Sequence, residues 1–128
     1  IDDYVAKHDN TIAFTSMGQL NYLSALQFID AVVGNSSSGL IEAPSFKIGT
    51  IDIGDRQKGR IKTDSVISCL PKKRNIDSAF NKMYSEEFQN TLDKVENAYG
   101  KGGASKEIVN IIKSVNLHNI IKKPFHDI

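Results

Sequence analysis

The sequence has a single cysteine, Cys69, so no disulfide can form within it. That scarcity fits a reducing compartment. It has no excess of either charge: 16 basic residues stand against 15 acidic ones, for a net +1. Such a balance gives no long-range pull toward nucleic acid or a membrane surface. It has no long apolar run, and none approaches the ~20 residues of a membrane-spanning helix. No secretory leader pattern is visible, and a cytoplasmic location is expected. The three histidines, His8, His118 and His126, lie at the two ends. No His, Cys, Asp or Glu cluster has metal-ligand spacing, so no protein-bound metal is expected. What the chain does have is 40% hydrophobic content in 128 residues, enough for the core of one ordinary domain. It opens at Ile1, inside what reads as a helix, and is expected to be a piece of a longer protein.

The most informative stretch runs from Ala31 to Arg60. Ala31-Val32-Val33 is short, apolar and largely β-branched, and it leads directly into Gly34-Asn35-Ser36-Ser37-Ser38-Gly39. Leu40-Ile41-Glu42-Ala43 follows. The order reads as buried strand, small-residue turn and helix start. Residues without bulk let backbone N–H groups and three hydroxyls approach a ligand. The helix start adds unpaired donors and a partial positive charge, which together suit an anion such as phosphate. A second strand, Gly49 to Gly54, ends in Asp55-Arg56-Gln57-Lys58-Gly59-Arg60, a polar loop with three cations. Both polar loops stand at the carboxyl ends of strands, where open α/β sheets bind ligands.

The remaining chain alternates strands and helices. Ile1, Tyr4, Val5 and His8 share one helical face, and Asp9-Asn10 ends that helix. Ile12 to Thr15 is a strand candidate, and Tyr22, Leu23, Leu26 and Ile29 place a helix over about 19–29. Pro44 keeps the helix after the serine loop short or kinked. Ser65 to Cys69 reads as a fourth strand, stopped by Pro71. Two helical stripes follow, Ile76, Phe80, Met83 and then Phe88, Leu92, Val95. After the break at Gly100-Lys101-Gly102-Gly103, the stripe Ile108, Ile111, Ile112, Val115 marks a further helix with Ser105 as its cap. The tail from Asn116, ending in Lys122 to Ile128, is expected to dock on another surface. The pattern predicts an α/β fold, a Rossmann-like parallel sheet with helices on both faces.

One familiar motif is excluded and a second fits poorly. The triphosphate loop needs Lys and Ser or Thr where Leu40 and Ile41 stand. The serine-hydrolase elbow needs Gly-x-Ser-x-Gly, and here the second Gly comes one place late. The remaining readings of the serines are an anion site and a capped helix start without ligand. Arg56 is the best placed of the three loop cations because a guanidinium can grip a phosphate with two hydrogen bonds; the plain alternative is a solvated loop. Glu42 is either a carboxylate favoured by the helix dipole or a ligand for the vicinal hydroxyls of a ribose. Phosphate on the serine loop together with ribose on Glu42 would make the ligand a nucleotide. Gly100 to Gly103 reads as a helix junction rather than a second phosphate loop, Tyr99 as a residue that can cover a pocket, and Cys69 as a small buried hydrophobe.

Gly34 to Gly39, Glu42-Ala43-Pro44 and Gly54 to Arg60 together closely resemble the hydrolysing UDP-N-acetylglucosamine 2-epimerases, including those of sialic acid biosynthesis. Tyr99-Gly100-Lys101-Gly102-Gly103-Ala104-Ser105 resembles the family's late Tyr-Gly-x-Gly-x-Ala-Ser segment. The resemblance covers roughly residues 10–128. It implies a GT-B-type fold of two Rossmann-like domains, with residues 1–128 as an incomplete C-terminal UDP-binding domain. The N-terminal catalytic domain would be absent, and with it the acid and base residues. By motif, Ser36 and Ser37, with Asn35, Ser38 and Gly39, would bind the diphosphate. Glu42 would hold the ribose, Arg56 would neutralise the diphosphate, and Gln19 to Tyr22 would lie near the uracil.

The implied reaction turns UDP-GlcNAc into N-acetylmannosamine and UDP by elimination and hydration, with no cofactor. The implied partners are UDP-GlcNAc or UDP, the N-terminal domain of the same protein and a second copy in a homo-oligomer, with neither nucleic acid nor membrane. The 128-residue piece alone is expected to be inactive. Four alternatives stay open: a non-hydrolysing epimerase, an epimerase of 2,4-diacetamido sugars, a GT-B glycosyltransferase donor domain, and a non-catalytic sugar-nucleotide binding module. The Asn-Ser-Ser-Ser-Gly and Arg-Gln-x-Gly-Arg patterns favour the hydrolysing branch. A structural α/β domain that binds no nucleotide is the plainest alternative.

Overall fold

The computed structural model describes residues 1–118. The elements in chain order are α1 (Asp2–Val5), α2 (Gly18–Ala25), β1 (Ala31–Gly34), α3 (Ser38–Ile41), a 3-10 turn (Ala43–Phe46), β2 (Gly49–Ile53), β3 (Val66–Cys69), α4 (Lys73–Met83), α5 (Glu86–Leu92) and α6 (Ala104–Ser114). The strands form one parallel sheet in the order β1-β2-β3. Val33 stands opposite Ile51, and Ile51 opposite Ile67.

Strand periodicity divides β2 between two faces. Ile51 and Ile53 look one way and pack, with Ile67, against Ala79 and Met83 of α4 and Phe88 and Leu92 of α5. This is the core, and each large apolar side chain fully buried in it contributes roughly 1.5–3 kcal/mol. Thr50 and Asp52 look the other way. Thr50 meets α3 there, its hydroxyl donating to the Gly39 carbonyl at 2.8 Å. Helices thus cover both faces, as the α/β pattern predicts.

Local chemistry sets the helix ends. Pro71 stops β3, and α4 begins two residues later. Ser85 caps α5 by accepting from the Phe88 N–H at 3.3 Å, with Glu86 and Glu87 in the first turn where the dipole favours acids. Pro44 falls inside the 3-10 turn, so α3 stays short, as expected from its ring.

Three expectations are corrected. Ile12 to Thr15 is not a strand, and among the described residues the sheet has three strands rather than four. A strand needs a neighbour for its backbone groups, and among the described residues none pairs with this segment, whose Ile12 and Phe14 stay exposed. The helix expected over 19–29 starts at Gly18 and ends at Ala25, with only turns beyond. Ser105 lies inside α6 rather than capping it; Gly103, at φ 83°, holds that position. The α6 stripe is helical as predicted, but Ile108, Ile111, Ile112 and Val115 are exposed among the described residues. The expected docking of 122–128 lies outside the described residues. No helix among the described residues is long and apolar enough to cross a membrane.

Candidate functional site

A crevice of about 420 Å³ opens at the carboxyl ends of the strands, lined by Gly34, Asn35, Ile53, Gly54, Asp55, Arg56 and Pro71. Gly54 has φ +90°, a conformation that favours glycine, and its N–H donates to the Cys69 carbonyl at 2.9 Å. The chain therefore leaves β2 while staying pinned to β3, and the next two residues, Asp55 and Arg56, are delivered to the crevice. Of the three loop cations, only Arg56 lines it. The Arg56 guanidinium is exposed and has no hydrogen-bond or ion-pair partner among the described residues.

The serine loop uses its hydroxyls unequally. The Ser36 hydroxyl accepts from the Ser38 N–H at 3.3 Å. The Ser38 hydroxyl and the Tyr22 hydroxyl share a hydrogen bond of 2.5 Å, which ties the loop to α2. Ser37 occupies the cap position of α3 but makes no capping hydrogen bond. The N–H of Ser38, the first residue of α3, is met instead by the Ser36 hydroxyl, so a serine still closes this helix start. Gly39 is buried, and a β-carbon there would meet Thr50 Cγ2 at 2.4 Å. Its small size lets α3 lie directly on β2.

Three long-range contacts hold the cationic loop. Gln57 is 3% exposed and donates through Nε2 to the Asn35 carbonyl at 2.7 Å. At the far end, the Lys62 ammonium donates to Asp52 Oδ2 and to the Ser68 hydroxyl, each at 2.7 Å. The Tyr99 hydroxyl donates to the Ile61 carbonyl at 3.1 Å. Tyr99 thus clamps a loop; it is not among the residues lining the crevice. The loop is held against β1, β2 and β3 before any ligand arrives.

Glu42 is half-buried just beyond α3, and its Oε2 is buried with no hydrogen-bond partner among the described residues. An unpaired buried carboxylate oxygen is costly, and a hydroxyl-bearing ligand would relieve it. Asn97 ties the two flanks together: its Nδ2 donates to the Ile41 carbonyl at 2.7 Å and to the Ser45 hydroxyl at 2.6 Å. Lys47, the one non-glycine residue with positive φ among the described residues, donates through its ammonium to the Val95 carbonyl. Asp52 Oδ1 and Gln57 Oε1 are also buried and unpaired among the described residues.

Of the residues singled out in the sequence, Asn35 and Arg56 meet in the crevice. Ser36, Ser37 and Ser38 form the turn beside it, Gly39 packs on β2, and Glu42 sits at the C-terminal end of α3. Tyr22 is the one residue of the 19–22 segment that reaches the serine loop by a hydrogen bond among the described residues. Sequence reasoning missed Gln57, Lys62 and Asn97, whose partners stand 6 to 56 residues away. The one signal that could have pointed to Lys62 is an acid, Asp52, inside an otherwise uncharged strand. Cys69 is half-buried at the core edge; burial pushes its thiol pKa up, and the nearby Asp52 carboxylate pushes the same way. A second cavity, of about 510 Å³, lies between the 3-10 turn and Gly100 to Gly102, beside the Lys101–Glu96 ion pair. Among the described residues, no group of three His, Cys, Asp or Glu side chains could hold a metal ion.

Residues 1–113 match the protein-family model described as UDP-N-acetylglucosamine 2-epimerase. The GDP/UDP-N,N'-diacetylbacillosamine 2-epimerase (hydrolyzing) of Campylobacter jejuni is 41% identical over 116 residues, covering 90% of this chain and 30% of that protein. Polysialic acid biosynthesis protein P7 of Escherichia coli is 41% identical over 109 residues, 84% of this chain and 28% of that protein. The UDP-N-acetylglucosamine 2-epimerase of Neisseria meningitidis is 36% identical over 77 residues, 60% of this chain and 20% of that protein. The aligned region spans no more than about a third of the length of these curated relatives. With a parallel sheet, two loops converging at its carboxyl edge and a family match over nearly the whole described chain, this protein belongs to the UDP-N-acetylglucosamine 2-epimerase family.

Proposed function

We propose that residues 1–128 are the C-terminal, UDP-binding domain of a hydrolysing UDP-N-acetylglucosamine 2-epimerase of the cytoplasm, which in full length carries a second, N-terminal domain in a GT-B-type arrangement. The observation that carries this reading is the crevice where Asn35 of the serine loop and Arg56 of the cationic loop come together. Ser36, Ser37 and neighbouring N–H groups, with Arg56, would take the diphosphate. Asn35, Ser38 and Gly39 would shape the loop around it, and the unpaired Glu42 carboxylate would accept the ribose hydroxyls.

The role of this half is to stabilise the leaving group. The sugar loses the proton on C2 to a base outside this chain, and the C1–O bond breaks so that UDP departs with the electron pair. This leaves 2-acetamidoglucal. Water then adds across the double bond, its hydroxyl to C1 and a proton to C2, giving N-acetylmannosamine. Negative charge grows on the diphosphate oxygens as C1–O lengthens. Arg56 and donors already in place lower that barrier without reorganising, and loss of one such donor typically costs about 10²–10³ in rate.

A second substrate reading has a specific observation behind it. The C. jejuni relative, 41% identical over 90% of this chain, is named for N,N'-diacetylbacillosamine. Incubating the full-length protein with UDP-N-acetylglucosamine and, separately, with UDP-N,N'-diacetylbacillosamine tests both, with proton NMR of the released sugar. Free N-acetylmannosamine plus UDP supports the first substrate; turnover of the diacetamido sugar alone supports the second. Release of a UDP-linked epimer would assign the non-hydrolysing reaction instead. A homo-oligomer belongs to the same proposal and is read by light scattering.

A further inference from the structure

Gln57 is the odd residue of the cationic loop. Its neighbours Arg56 and Lys58 are exposed, whereas Gln57 is 3% exposed. Its side chain turns inward and donates through Nε2 to the Asn35 carbonyl at 2.7 Å. Asn35 is the first residue after β1, and Gln57 is the fourth after β2, so the contact joins the two loops that face the crevice. It is the one side-chain hydrogen bond between them among the described residues. The other ties on either loop run elsewhere: Ser38 to Tyr22 on α2, Lys62 to Asp52 and Ser68, and Tyr99 to Ile61.

We propose that Gln57 is a positioning residue for the nucleotide. Its amide fixes the separation of the serine loop and Arg56, so that the two sides of the anion site are set before a diphosphate arrives. This rests on the UDP-binding reading of the crevice. The chemistry requires a donor of this length. Asn35 is itself exposed, so without this donor its carbonyl passes to water and the tie between the two loops is lost. The peptide that leads into Ser36 and Ser37 is then no longer held at a fixed distance from Arg56. A separation set in advance spares the ligand the ordering cost of two loops. Gln57 touches no ligand in this scheme and acts only through Asn35 and Arg56.

The test is isothermal titration of UDP into the full-length protein and into its Gln57→Met, Gln57→Glu and Arg56→Ala variants, with melting temperatures measured in parallel. Gln57→Met keeps length and burial without the donor, and a loss of about tenfold in UDP affinity is expected, the size of one hydrogen bond. Gln57→Glu is the readout that a merely structural role would not move. As a carboxylate it faces the Asn35 carbonyl with no hydrogen to give; once protonated it can donate. Burial of this side chain favours the protonated acid above its ordinary range of about 4.3, so the ratio of its Kd to wild type should fall as pH is lowered from about 8 to about 5. Using the ratio removes the titration of UDP itself. Wild-type affinity in both Gln57 variants, with Arg56→Ala weakened, would overturn the positioning role and leave the nucleotide site standing. No UDP binding by the wild type would overturn both. If Gln57→Met does not fold, the pH trend of Gln57→Glu decides alone, and a flat ratio counts against the proposal.

Discussion

The Lys62 ammonium sits 2.7 Å from Oδ2 of Asp52, a carboxylate only 1% exposed in the middle strand of the sheet. The pair closes the cationic loop on itself: Asp52 lies just before the loop leaves β2, and Lys62 returns to it from the other end. Replacing Lys62 by Met would strand the carboxylate, whose Oδ1 already lacks a partner among the described residues. Removing one member of a buried pair costs about 3–5 kcal/mol, and the low end is expected because the Lys62 side chain is 28% exposed. Denaturant melts of Lys62→Met and of Lys62→Met with Asp52→Asn check this. The double variant should recover part of the loss.

Gly39→Ala should destabilise by about 1–3 kcal/mol, the cost of overpacking. The added methyl would meet Thr50 Cγ2 at 2.4 Å. Thr50→Ser removes that carbon and keeps the hydroxyl that donates to Gly39, so the penalty should shrink in the Thr50→Ser background. Paired thermal melts read the difference.

The strands after residue 30 were legible because local chemistry and final environment agree. Ala31-Val32-Val33 and Thr50 to Ile53 are short runs ended by glycine, and each lies where that pattern says. Ile12 to Thr15 is a comparable short, mostly apolar run, but such a run does not supply a partner strand. Pairing must come from a neighbour, and among the described residues none pairs with it. The α6 stripe fails in the same way: Ile108 to Val115 has the right period, and period says nothing of what covers it. In the candidate site, glycines and serines announced the loops, yet Gln57, Lys62 and Asn97 were silent because their partners are distant in sequence. Gly39 shows the converse. Its smallness read as room for a ligand, while the structure uses it to seat α3 on Thr50.

Glu42→Ala should weaken UDP binding by about tenfold and leave inorganic pyrophosphate binding unchanged. The proposed contact is to the ribose, and a hydrogen bond to a charged group contributes roughly 1.5–3 kcal/mol. Competition titrations with the two ligands separate ribose from diphosphate recognition. Equal losses for both would move Glu42 out of the ribose role.

Cys69 gives a pH dependence of definite sign. Its folded thiol pKa lies above the ordinary value, first through burial and second through the Asp52 carboxylate. The unfolded chain therefore releases this proton first, near ~8.5. The stability it contributes is present below that pH and is lost as pH rises through the higher folded value. Cys69→Ser should flatten that alkaline decline in denaturant melts. Alkylation of native Cys69 should also stay slow until pH exceeds the ordinary thiol range.

The crevice lined by Asn35 and Arg56 is expected to bind a nucleoside diphosphate. The most direct measurement is a UDP titration of the full-length protein followed by backbone amide NMR, repeated for Arg56→Ala. Shifts confined to Asn35–Gly39, Glu42 and Asp55–Arg60 are predicted, with affinity falling at least tenfold in Arg56→Ala, as expected when a charged hydrogen-bond partner is lost. Shifts clustered elsewhere, or UDP binding indifferent to Arg56, would contradict it.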